Sequence, residues 1–119
     1  MGKAKFRFQD LEIWQEAIEI ADRLLDLADF LQERKWFKSA DQLRGAALSV
    51  SNNIAEGSGS YSKKEFFNFL NIARRSAFEN ANILIILARR KVLEEIDRDQ
   101  LLELLDTLCR RITQFQKSL

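Results

Sequence analysis

Two adjacent pairs of arginine, Arg74–Arg75 and Arg110–Arg111, stand out with Lys63, Lys64 and Lys117 as the groups able to do chemistry. A guanidinium donates two parallel hydrogen bonds from a planar fork, so such pairs suit phosphate oxygens. Placed at one height on neighbouring antiparallel helices, the four arginines form a belt able to bind RNA or DNA. Catalysis has fewer materials to work with. The chain has no histidine, which removes a di-iron bundle's Glu-x-x-His pairs, a histidine-based zinc site and a Ser–His dyad. Cys109, the single cysteine, allows no internal disulfide and reads as a small semi-buried side chain. Gly57-Ser-Gly-Ser-Tyr61 lacks the Lys-Ser/Thr ending of a phosphate loop. Glu12 with Glu16 and Asp22 with Asp26 sit one turn apart and read as a solvated face. Neither a catalytic residue nor a metal or cofactor site is expected.

A second polar group lies within residues 42–57. Gln42 and Arg44 open this run, and Asn52, Asn53 and Glu56 occupy its last turns, where a plain core helix has no need of them. Small residues at Ala46, Ala47, Ser49 and Ala55 let this helix approach its neighbours closely. Asn53 and Glu56 are therefore expected to be partly buried and hydrogen-bonded to neighbouring segments. Gly57 stands where a left-handed cap ends a helix.

These residues must be carried by helices. With 119 residues the chain forms one domain. It has no proline, and three of its four glycines fall between 45 and 59, so strong helix breakers are almost absent elsewhere. No alternating β-branched runs bounded by turns occur. Period and caps place a first helix over about 10–30, with Leu11, Trp14, Ile18, Ala21, Leu25 and Ala28 as its bundle seam. A second runs over 39–56, with Ser39 and Gln42 as a capping box. A third opens at Ser62, with Glu65 completing a better box, and ends near Arg90. A fourth begins at Asp97 and presents Leu101, Leu105, Leu108, Ile112 and Phe115. Short connections make neighbours antiparallel. The expected fold is all-α: an up-down-up-down four-helix bundle over residues 9–119, preceded by a basic arm over 1–8.

No apolar run reaches the roughly 20 residues of a membrane span. The start lacks the apolar core of a signal peptide, and Gly2 lacks the Ser or Thr that favours myristoylation. A cytoplasmic address is expected.

The net charge of +1 hides an uneven distribution. Residues 9–34 carry eight acids against two bases, a net −6, whereas residues 57–93 carry seven bases against two acids, a net +5. The first helix is an acidic rod and the third a basic one. Two readings stay open: these faces attract each other, within the bundle or between copies, or the basic face takes a polyanion. The third helix also carries Phe67, Phe69, Ile72 and Phe78, and the first carries Ile13 and Ile20, beyond one apolar stripe each. Such excess predicts self-association, unless the link with Trp36 and Phe37 folds back over it.

The segments Phe8-Gln-Asp-Leu-Glu-Ile-Trp14, Gln42-Leu-Arg44, Ser51-Asn-Asn-Ile-Ala-Glu-Gly57, Lys64-Glu-Phe-Phe-Asn-Phe-Leu70 and Ile72-Ala-Arg-Arg-Ser-Ala-Phe-Glu79 occur in order. In this the chain resembles the bacterial four-helix-bundle family encoded by intervening sequences of large-subunit ribosomal RNA genes. That family is similar to the accessory proteins of diversity-generating retroelements. The resemblance implies a non-enzymatic bundle, commonly a ring-shaped homopentamer. Its retroelement branch implies contact with nucleic acid and with a reverse transcriptase through a basic surface. Three departures from the family pattern stand out: proline is usual where Ser51 stands and in the link after the first helix, arginine is usual where Gly45 stands, and glycine where Arg75 stands. A hairpin turn centred near Gly59 puts the last two positions level, so the stem of Arg75 is expected to cross the second helix at Gly45.

Overall fold

The computed structural model describes residues 3–119; Met1 and Gly2, the start of the expected arm, lie outside the described residues. Four helices follow one another: α1 (Glu12–Glu33), α2 (Phe37–Ser58), α3 (Lys63–Arg89) and α4 (Glu95–Lys117). Each packs on the next, and α4 returns to α1, which closes an antiparallel bundle. Helices α1 and α3 do not pack as neighbours, so these two stand on opposite corners and meet only through the shared core.

Leu24, Leu31, Leu43, Ile54, Leu70, Leu84, Leu87, Leu108 and Ile112 are fully buried between the helices. In α1 the buried residues are Ile13, Ala17, Ile20, Ala21, Leu24, Ala28 and Leu31, of which Ala21 and Ala28 belong to the expected seam. The expected seam is rotated: Leu11, Trp14, Ile18 and Leu25 are only half-buried. Both stripes repeat every three or four residues, so period alone does not choose between them. Ile13 and Ile20 thus belong to the core and add nothing to a docking surface.

The helix ends obey local chemistry with two exceptions. Ser62 caps α3, its hydroxyl accepting from the Glu65 backbone N–H at 3.1 Å. Before α1, residues Arg7–Asp10 form a 3-10 turn against α1 and α2, and the Phe8 ring lies 5.0 Å from that of Trp14. Helix α1 therefore starts at Glu12, after Asp10. The expected Ser39–Gln42 box is not used, because α2 begins earlier, at Phe37, with Trp36 as N-cap. The reason lies in how α1 ends. The N–H of Lys35 donates to the Gln32 carbonyl and that of Trp36 to the Leu31 carbonyl, a Schellman closure that turns the chain within two residues. The same closure ends α3, where Lys91 donates to Ala88 and Val92 to Leu87. Both closures place a lysine in the left-handed region, Lys35 at φ 68° and Lys91 at φ 61°. Helix α4 starts at Glu95, two residues before Asp97.

Gly57 corrects a second expectation. Helix α2 runs through it to Ser58, and no described glycine has positive φ. Gly57 is buried against α3 instead: a Cβ there would lie 2.7 Å from Phe69 Cβ and 2.8 Å from Phe66 Cδ1. Glycine is needed for close approach and not for backbone conformation. The α1–α2 link does not fold back, and Trp36 and Phe37 stay exposed.

Candidate interaction surfaces

Across the α2/α3 contact runs a polar seam. The Ser49 and Ser76 hydroxyls meet at 2.8 Å. The Asn53 amide donates to the Ser49 carbonyl at 2.7 Å and to its hydroxyl at 3.0 Å. Asn80, fully buried, donates to the carbonyls of Ala46 at 2.9 Å and Ser76 at 2.8 Å, while its Oδ1 is buried without a partner. Asn53 thus bonds within its own helix and not to a neighbouring segment, because the Ser49 carbonyl lies one turn behind it. Glu56 and Gln42 are exposed. Arg44 ties α2 to α1 through Asp29 at 2.8 Å and also reaches Asp41 at 3.5 Å.

The seam sets a register different from the expected one. Ala46 lies level with Asn80 and not with residues 72–74, since α2 continues to Ser58 and the turn lies further along the chain. Gly45 and Arg75 are consequently not opposed: a Cβ on Gly45 would meet nothing within 4 Å.

The four-arginine belt does not assemble. Arg74 and Arg110 face an open groove of about 460 Å³ between α3 and α4, floored by Ala77, Ala81, Leu105 and Cys109. Arg111 leaves for the other side of α4, where it pairs with Glu16 of α1 in a separate groove of about 620 Å³. Adjacent helical residues point about 100° apart, so on α4, flanked by α3 and α1, they serve different neighbours. Arg110 is already paired with Asp106 at 2.9 Å. Arg75, Lys63, Lys64 and Lys117 are exposed. Arg74 is half-buried, and its Nε is buried with no hydrogen-bond partner. Burial pushes the neighbouring Cys109 thiol pKa up, against the pull of the Arg74 charge. Among the described residues, no three histidine, cysteine or carboxylate groups are placed to hold a metal ion, and no helix is long and apolar enough to cross a membrane.

The acidic and basic helices are the diagonal pair. Their charges cannot meet within one bundle, which removes the intramolecular version of the attraction expected from the sequence. On α1, Glu12, Glu19, Asp22, Asp26 and Glu33 are exposed, and none is ion-paired within the described residues. On α3, Lys63, Lys64, Arg74, Arg75 and Arg89, and Arg90 just past its end, are likewise without an acid partner. Phe67, Ile72, Phe78, Ile85 and Ile86 of α3 are exposed, Phe78 by 62%.

Two polar residues of structural weight lie outside those singled out from the sequence. Asn80 is one, readable only as a polar break in the apolar Ala73-Ala77-Leu84 rhythm of α3. Buried Gln116 is the other, tying α4 to α3 by donating to the Phe67 carbonyl and Asn71 Oδ1, both at 3.1 Å.

Residues 9–114 match the family model described as 23S rRNA-intervening sequence protein. Among solved structures, the chain is similar to a protein with unknown function from the S23 ribosomal protein family of Bacteroides thetaiotaomicron VPI-5482. The TM-score is 0.84 at 25% identity, over 88% of this chain and 98% of that one. No curated protein matches the chain. Since the family match runs from the 3-10 turn into the last turns of α4, the polar seam and both charged helices lie inside it, and the chain belongs to the 23S rRNA-intervening sequence protein family.

Proposed function

We propose that this protein is a non-enzymatic scaffold that assembles head to tail into a closed homo-oligomer. Five copies is the number that the family resemblance implies. One observation carries the reading: unpaired acids on α1 and unpaired cations on α3 stand on opposite corners of the bundle. A two-fold contact through either face would set like charges together, whereas a head-to-tail contact sets acid against base. The apolar residues exposed on α3 supply what surface charge alone does not, because exposed ion pairs contribute little. Light scattering tests the reading. A mass of three or more whole copies of 13.9 kDa supports it, and a mass of one or two copies across micromolar concentrations overturns it.

A second reading, contact with RNA or DNA, draws on Lys63, Lys64 and Arg75, which are exposed without ion pairs. Salt-dependent retention on structured RNA is its test. Absence of retention at about 50 mM salt, where phosphate contacts are strongest, removes it.

A further inference from the structure

We infer that the α3/α4 groove is a carboxylate dock for helix α1 of a second copy, and that Arg74 is the cation that receives it. This rests on the head-to-tail reading and names its surface. The two arginines of the groove are not equivalent. Arg110 is neutralised by Asp106 at the rim, while Arg74 has no acid partner and holds a buried, unpartnered Nε. The sealed Nε is out of an incoming carboxylate's reach, but Arg74 lines the groove with its charge uncompensated within the bundle, and the open part of its guanidinium can make a charge-assisted bond to that carboxylate.

Around Arg74 the walls are apolar: Ala77, Phe78, Ala81, Leu102 and Leu105. Nothing in the same bundle fills this space, for Phe78 stands 62% exposed at its edge. The occupant is therefore a partly apolar, acidic surface. Helix α1 is that surface, with Glu19, Asp22 and Asp26 exposed and unpaired along its outer side. A bundle's own α1 lies on the other side of α4, where Glu16 pairs with Arg111, and so does not line the groove. The acids must come from another copy. The groove opens between α3 and α4 and is not aligned with the α1–α3 diagonal. Successive copies are thus turned relative to one another, and such a contact forms a ring when the turn divides a full circle and an open filament when it does not.

Three variants test the dock. Arg74→Ala and Phe78→Asp disable the groove; the first removes an unpartnered group and the second alters an exposed side chain, so circular dichroism should report unchanged folding. Glu19→Gln, Asp22→Asn and Asp26→Asn together disable the acidic face. Each variant alone should fall to 13.9 kDa by light scattering at micromolar concentration. An equimolar mixture of a groove variant with the face variant keeps one intact contact and should give a one-to-one complex of about 28 kDa, which only a head-to-tail contact allows. If the wild type is itself 13.9 kDa, the assembly reading fails and the dock with it. If the wild type is oligomeric but both groove variants keep its mass, or the mixture stays monomeric, the dock alone is overturned.

Discussion

The Asn80 side chain, fully buried on α3, donates to the Ala46 backbone carbonyl of α2 at 2.9 Å. This bond and the Ser49–Ser76 contact hold the α2/α3 register, and the unpartnered Asn80 Oδ1 is a cost borne within it. Two substitutions should therefore differ sharply. Asn80→Asp buries an uncompensated charge and should cost about 3–5 kcal/mol. Asn80→Leu removes donor and orphaned acceptor together while keeping the branch at Cγ, and should cost less, about 1–3 kcal/mol, through its bulkier methyl groups. Urea unfolding at neutral pH measures both; equal losses would contradict the role given to the amide.

The same substitution should act with opposite sign at two glycines of α2. Gly57→Ala drives a methyl group into Phe66 and Phe69 and should destabilise by about 1–3 kcal/mol, partly offset by helix propensity. Gly45→Ala enters open space on an exposed helical position and should stabilise by about 0.5–1 kcal/mol. Thermal melts of the two single variants decide the matter.

Lys35 and Lys91 hold left-handed conformations that glycine adopts without steric strain. Lys91→Gly and Lys35→Gly should each stabilise the bundle by about 0.5–1 kcal/mol. A loss of stability in both would show that the lysine side chains contribute more than their backbone strain costs.

Cys109 lies buried on the floor of the α3/α4 groove, with its thiol pKa raised by burial. Few thiolates exist at pH 7, and fewer still are accessible. Alkylation of the native protein at pH 7 should be slow and accelerate at least about tenfold on unfolding in guanidinium. Equal rates in the two states would contradict the burial.

What the chain reveals by itself is what local rules decide. Ser62 with Glu65 marked the start of α3 because a hydroxyl facing an orphan N–H is a contact three residues long. The helix count followed from period and from the lack of breakers. Gly57 misled because a glycine near a helix end carries the same local signal whether it turns the backbone or admits a neighbour, and only Phe66 and Phe69 decide which. Adjacency in sequence does not give the paired arginines a shared face, and the presence of α1 beside α4 sends Arg111 away from Arg110. Asn80 leaves no local signal in the sequence because its partner carbonyl is 34 residues distant.

Counting the copies tests the central claim most directly. Native mass spectrometry of the wild-type chain at low ionic strength should show a closed assembly of about 70 kDa, five times 13.9 kDa, without a ladder of longer species. A spectrum dominated by the 13.9 kDa monomer at micromolar concentration would contradict the claim that the acidic and basic corners of this bundle exist to meet one another.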